Sequence, residues 1–531
     1  MKTIFIKIIL LNLLLITSVF SGKFENDIKP LLKNSFKTKE VVINQVSQKY
    51  SENDKLQTLL QALMKGDLFY TKQDKTFVVL YKKEGKIYYT KSLETQKQLE
   101  PMNKKMFKKV KTNNRLRSTI REKLAELNLF SKDRDIRYNS AKNMLKHVSQ
   151  NSSVLVQKAL KIEKDSKVLS VLNEINTIIN VKFGTDKQEA IVKLGDYLSP
   201  QSLQALKEIY ASSEDKELKE LARLSIASIN RSKDFYAFVE KAFFGLSLGS
   251  ILLLAAIGLA ITFGVMKVIN MAHGEMMMLG AYTVYALQKS MPNLIEYSVI
   301  IAIPVAFLVS GIIGIIIERL VIRHLYGRPL ETLLATFGIS LILQQMVRSI
   351  FSPLNQEVKT PQWMSGALEI NSALSLTYNR LYIIIFALLV FAGILLVLNK
   401  TSLGLKVRAV TQNRKMAQAM GIKTGLIDAL TFGIGSGIAG IAGVALSQLT
   451  NVGPNLGQAY IVDSFMVVVF GGVGNLWGTL IGAITLGEIN KFIEPVAGAV
   501  LAKVIILVFI ILFIQKRPRG LFAQKGRDAE D

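Results

Sequence analysis

The chain has 531 residues, half of them hydrophobic, and a formal net charge of +26 from 66 Lys+Arg against 40 Asp+Glu. There is no cysteine, which excludes disulfides, thiolate metal sites and a thiol nucleophile. The length admits more than one domain, and the composition changes near Asp234: polar and Lys-rich before it, dominated by long apolar runs after it.

The chain opens on MKTIFIKIILLNLLLITSVFSGKF, with a basic start at Lys2 and Lys7, an apolar core and small-enough residues at Val19-Phe20-Ser21. This pattern predicts a signal peptide over 1–22, or else an uncleaved anchor helix; either delivers the next domain, 23–234, outside the cytoplasm. That domain reads mainly as helices. Amphipathic stretches run from Lys23 to Leu63, and Phe77–Tyr81 and Ile87–Thr90, separated by Glu84-Gly85, predict a small β-hairpin. Helical periodicity returns from Arg115 to Ile229, in stretches recurring at roughly 25–30 residues that fit either HEAT-like helix pairs or an ordinary helical bundle. A basic patch, NKKMFKKVKTNNRLRSTIREK, is either a solvated helix face or a docking surface. Nucleic acid is not the expected partner, because the domain is exported.

From 235 to 531 nine apolar segments reach spanning or half-spanning length: Phe243–Met266, Met271–Leu287, Val299–Ile317, Thr332–Phe351, Leu381–Leu398, Ile427–Leu449, Ile461–Gly472, Leu476–Ile489 and Val500–Ile514. The seventh and eighth, short and glycine-broken, are either two spans or one re-entrant pair. Gly471, Gly472 and Gly474 between them are candidate elements of a solute pathway, since unwound backbone at membrane depth is tolerated only beside protein or a wet path. Three clusters belong in the cytoplasm by the positive-inside rule: Arg319, Arg323 and Arg328; Lys400, Lys406, Arg408, Arg414, Lys415 and Lys423; and Lys516, Arg517 and Arg519. With the first domain outside and the tail inside, the number of crossings is odd, which nine or seven both satisfy. Lys267 either reaches the cytoplasmic face or lines a wet cavity. The expected fold class is thus all-α: a polytopic helical membrane protein with re-entrant or broken helices, preceded by a mainly helical exported domain carrying a small hairpin.

Three stretches bear on chemistry. Asn270, His273 and Glu275 lie in a polar break between two apolar segments, where they either cap helix ends or contact a solute. The loop TSLGLKVRAVTQNRKMAQAMGIKTG sets Val407, Val410, Ala417 and Met420 near helical spacing, as a docking helix or a membrane-surface helix would. In VVVFGGVGNLWGTLIGAITLGEIN, Gly478 and Gly482 are spaced for close helix approach. Gly245-Leu246-Ser247-Leu248-Gly249 fits a hydrolase pattern but opens an apolar helix, with no histidine marked as its base. The chain has no G-x-x-x-x-G-K-[ST] loop. No catalytic residue, metal site or cofactor is expected, and the chain is not read as an enzyme.

The stretch Gly258–Tyr282, the cytoplasmic loop, the glycine-rich region and the ending KRPRGLF together resemble the permeases of ATP-binding cassette importers for branched-chain amino acids and urea, over roughly Phe243 to Phe522. MAHGEMMMLGAYTVY and the exported domain are most similar to the urea-type members. The resemblance implies a coupling helix at Leu403, Arg408, Ala409, Asn413, Ala417, Gly421 and Ile422. It implies as partners a second homologous permease, two ATPase subunits and a periplasmic solute-binding protein, all at the bacterial inner membrane with its lipid. The implied solute is urea or a short-chain amide. Branched-chain amino acids are the alternative, because Glu275 can accept from an ammonium. A passive channel, an ion-coupled carrier or a membrane-tethered sensor are readings from other classes.

Overall fold

The computed structural model describes residues 24–50, 53–150, 152–184 and 186–522. The expected signal peptide, 1–22, lies outside the described residues. The chain divides into two compact units, Met1–Arg231 and Ser232–Asp531.

In the first unit α1 (Phe36–Lys49) and α2 (Asp54–Lys65) precede five strands: β1 (Leu68–Thr71), β2 (Phe77–Glu84), β3 (Ile87–Ser92), β4 (Met102–Asn103) and β5 (Phe107–Lys109). The hairpin turns at Gly85, whose φ of +58° suits a residue without Cβ. It is the centre of a larger sheet in the order β4-β3-β2-β1-β5, antiparallel at every pairing. Strands of two to four residues at its flanks carry too short an alternation to be read from sequence. Helices α3 (Asn114–Leu129), α4 (Arg134–Leu145), α5 (Ser152–Ile162), α6 (Ser166–Phe183), α7 (Lys187–Leu194) and α8 (Pro200–Ser212) follow, and α9 spans Lys216–Met266. Asp133 and Asp165 cap α4 and α6 by accepting from two backbone N–H groups each. Arg137 holds Glu163 at 2.7 Å, and the apolar faces close around Val168, Leu172, Ile175 and Ile191.

The second unit contains the C-terminal part of α9, then α10 (His273–Ser290), α11 (Ser298–Leu320), α12 (Pro329–Ile350), the hairpin β6 (Ala367–Asn371) and β7 (Leu374–Thr377), α13 (Tyr378–Lys400), α14 (Ser402–Gln412), α15 (Arg414–Ala419), α16 (Thr424–Ser447), α17 (Leu456–Gly471), α18 (Leu476–Ala497) and α19 (Ala499–Lys516). Each of the nine apolar segments corresponds to one helix. Among the described residues six helices are long and apolar enough to cross a membrane. The fold is therefore an all-α polytopic membrane bundle. The helix at α18 outruns its expected end at Ile489 and continues to Ala497 through Pro495, so only α17, with 16 residues, is short.

Small residues set the packing. α16 lies against α11 through Gly433, Gly437 and Gly440, where a Cβ would meet Ile315, the Phe307 ring and the Ala306 carbonyl. It lies against α10 through Gly440 and Gly443, which face the backbones of Gly280 and Met277. Three basic segments share one end of this unit. Arg414 contacts Tyr326 and Asp428; Gly474 sits against Gly264 near the end of α9; Leu521 and Phe522 of the tail donate to the carbonyls of Phe470 and Gly471. Lys267 closes α9 at φ +53° and is exposed at that end.

Candidate functional site

The chain between α9 and α10 turns back into the bundle. Met271 N donates to Thr336 Oγ1 at 3.1 Å, and His273 Nε2 donates to the Ala255 carbonyl at 3.0 Å. Ala255 lies roughly 16 Å of helix before the end of α9. The first turn of α10 is thus buried alongside the middle of the apolar part of α9 rather than at the end of the helix. Asn270, His273 and Glu275 are each at most 1% exposed. Asn270 Oδ1 accepts from Ala272 N at 3.0 Å and shapes the turn. His273, bonded through Nε2–H, leaves Nδ1 buried without a partner.

Glu275 faces α12. Ser340 Oγ and Gln344 Nε2 both donate to its Oε1, at 2.8 and 2.7 Å, while Oε2 is buried without a hydrogen bond. Those two residues belong to a stripe on α12, namely Thr332, Thr336, Ser340, Gln344 and Arg348, each one helical turn from the next. The first four are buried in a helix whose other face carries Leu334, Leu341, Ile342 and Met346. Arg348 Nη2 donates to Asn455 Oδ1 at 2.8 Å, just before α17.

A second helix start arrives here. A Cβ on Gly274 would stand 2.6 Å from the Gly457 carbonyl, so the first turns of α10 and α17 touch backbone to backbone. Only glycine at both positions permits this approach. Two helix N-termini, each with the positive end of its dipole, therefore converge beside the α12 stripe. Glu275, Arg348, Gln344, Asn455 and Ser340 bring together one carboxylate, one guanidinium, two amides and a hydroxyl. The cluster has donors for an anionic group and one acceptor-only oxygen pair for a cationic group.

The sequence marked Asn270, His273 and Glu275 but not Ser340, Gln344, Arg348 or Asn455. The signal for the first three was present: polar residues every fourth position in an otherwise apolar helix. The candidate pathway glycines do not join this cluster. Gly471, Gly472 and Gly474 form the α17–α18 turn, with Gly472 at φ +104° against the Phe522 carbonyl and Gly471 against Gly478. They give the tail its seat. Ser247, in the hydrolase-like pattern, is buried inside α9 and Gly249 packs on α18, which makes that pattern a helix contact.

The expected coupling helix is two helices. Asn413 leaves helical geometry at φ −153°, ends α14 and caps α15 by accepting from Met416 N at 2.9 Å. Leu403, Ala409 and Ile422 are half-buried, Ala417 is buried, and Arg408, Asn413 and Gly421 are exposed. Gly421 turns the chain at φ +84°. Val407, Val410, Ala417 and Ile427 make the internal contact. Leu405, Met416 and Met420 are left 61–77% exposed beside Lys406, Lys415 and Lys423, an apolar surface rimmed with positive charge.

The sequence model of the family described as branched-chain amino acid transport system / permease component matches residues 241–514. The high-affinity branched-chain amino acid transport system permease protein BraD of Pseudomonas aeruginosa is 28% identical over 301 residues, covering 55% of this chain and 97% of its own length. LivH of Escherichia coli K12, a permease protein of the same description, is 28% identical over 304 residues, with 55% and 98% covered. The probable LivH of Methanocaldococcus jannaschii is 28% identical over 283 residues, with 51% and 88% covered. No solved structure matches. The first unit, up to Arg231, lies outside the family match.

Proposed function

The chain belongs to the branched-chain amino acid permease family of ATP-binding cassette importers, and from that premise we propose that it forms the membrane path for a branched-chain amino acid, with Glu275 receiving the ammonium group. It is a multi-pass inner-membrane transport subunit, not an enzyme, and its energy comes from ATPase partners. The observation that carries the substrate reading is the pairing of two helix starts with a buried carboxylate. A zwitterion needs a donor-rich pole for its carboxylate and an acceptor for its ammonium. In this reading Gly274, Gly457 and Arg348 supply the first and Glu275 Oε2 the second.

In this reading the assembly comprises a second homologous permease, two ATPases and a periplasmic binding protein. The first unit is extracytoplasmic and the tail cytoplasmic, a reading the loop charges support. Leu405, Met416 and Met420 dock on the ATPase, whose closure rocks the bundle and opens the Glu275 cluster alternately to either side. A protein that only passed solute passively would have no use for an exposed apolar patch between two short cytoplasmic helices.

Urea is the second reading. What favours it is the first unit, a compact domain of about 200 residues that the family match does not reach. The two readings separate in one uptake experiment. A deletion strain loses ATP-dependent leucine, isoleucine and valine accumulation if the first is right. If only urea accumulation falls, the second replaces it.

A further inference from the structure

The ends of α11 and α16 that face the cytoplasmic segment each carry a buried carboxylate, Glu318 and Asp428, both 0% exposed. Burying a charge in a membrane bundle is costly unless it is paired, so each requires an explanation. Arg414 pairs with Asp428 directly and reaches Glu318 only through Tyr326. Arg414, the first residue of α15, grips Asp428 with both terminal nitrogens, Nη1 to Oδ1 at 3.3 Å and Nη2 to Oδ2. The same guanidinium lies 4.7 Å over the ring of Tyr326, and Tyr326 donates its hydroxyl to Glu318 Oε1 at 3.0 Å. Arg319 adds a looser contact to Glu318 Oε2 at 3.8 Å. Gln418 Nε2 donates to Thr424 Oγ1 at 2.8 Å, a second polar tie between α15 and the start of α16.

We propose that Arg414 is the latch that carries movement of the ATPase-facing segment α14–α15 into the membrane helices, with Asp428 on α16 and the Tyr326–Glu318 pair on α11 as its two seats. This rests on the docking role proposed for that segment. A planar fork on a carboxylate fixes direction as well as distance, which a lysine or a purely apolar contact would not. If the segment moved without α16, Asp428 would be left charged, buried and unpaired, so the two move together. Downstream the packing allows little slip. α16 and α11 touch through Gly433, Gly437 and Gly440, and α16 touches α10 through Gly440 and Gly443. α10 carries Glu275 within two turns of these contacts. Displacement at Arg414 therefore reaches the polar cluster through contiguous backbone contacts.

The test uses the whole transporter in proteoliposomes, with ATPase subunits and loaded binding protein, and reads uptake per ATP hydrolysed together with ATPase co-purification. Arg414→Gln and Asp428→Asn are expected to keep the ATPases bound and hydrolysing while uptake per ATP falls at least tenfold. The reciprocal pair Arg414→Asp with Asp428→Arg is expected to recover a substantial part of the ratio. A wild-type ratio in both single variants overturns the latch and leaves the docking role intact. Loss of the ATPases from both also overturns it, since Arg414 would then serve attachment. If the wild-type chain itself fails to retain ATPases, the docking role falls instead. Should the neutral variants fail to accumulate, Arg414→Lys, which keeps the charge without the fork, is read in their place. A several-fold fall in ratio supports the latch and an unchanged ratio overturns it.

Discussion

Replacing Glu275 by glutamine isolates the charge from the shape. Ser340 and Gln344 both donate to Oε1, which remains an oxygen in the amide, while the new NH2 group takes the place of Oε2, where no donor opposes it. An unpaired NH2 there costs about 1–3 kcal/mol, offset in part by removal of a buried charge, so the fold should lose no more than about 3 kcal/mol. Transport should change too. A hydrogen bond to a charged partner contributes about 1.5–3 kcal/mol, against about 1 kcal/mol between neutral groups. At 1.4 kcal/mol per factor of ten, losing an ammonium–carboxylate contact slows amino acid passage by about tenfold to a hundredfold. Losing one neutral contact to urea would cost only about fivefold. The assay is uptake of isoleucine into proteoliposomes at saturating loaded binding protein, so that the permease step rather than capture is measured. Isoleucine uptake within twofold of wild type, in a variant that assembles normally, would refute a charged contact at Glu275.

Further outcomes follow from other parts of the molecule. Gly280→Val places a branched side chain against the Gly440 backbone and forces α10 from α16, so it should cost more than about 3 kcal/mol, seen as lost expression or a lowered melting temperature in detergent. Met416→Asp with Met420→Asp should abolish ATPase co-purification while leaving the permease folded, because both side chains are exposed and make no core contact. In the first unit the Arg137 guanidinium and the Lys164 and Asp165 backbone N–H groups hold the Glu163 carboxyl at about 2, below the usual carboxylate value of 4.5. Its stabilisation, about 3 kcal/mol, is complete above pH 4.5 and is lost as pH falls toward 2. Thermal unfolding between pH 6 and pH 2 should show that loss in wild type and much less of it in Arg137→Met.

The membrane bundle was legible because lipid demands long apolar stretches, and those survive in sequence as lengths and loop charges. Nine segments became nine helices, although α9 begins well before Phe243 and α18 runs past Ile489 to Ala497. What the sequence withheld was pairing. Nothing local joins Glu275 to Ser340 and Gln344, or Arg348 to Asn455, since these partners lie 65 to 107 residues apart. The four-residue polar period on α12 was readable, yet its partner was not, because the break at Lys267–Ala272 returns the chain into the bundle instead of letting α10 start at the end of α9. Arg414 and Asp428 are only 14 residues apart, but the end of α15 at Ala419 and a turn at Gly421 intervene, and no periodicity spans them. In the first unit, capped helices were visible through their periodicity, whereas β4 and β5 depend on pairing with β3 and β1 for their existence.

In the function proposed above, this chain passes an amino acid through the membrane at the expense of ATP. The most direct test is uptake by the reconstituted transporter, with wild-type chain, ATPases and binding protein, of labelled isoleucine and labelled urea in parallel, with and without ATP. Isoleucine accumulation that requires ATP and is not displaced by excess urea is the expected result. Accumulation of urea alone, or isoleucine entry that proceeds equally without ATP, would contradict it.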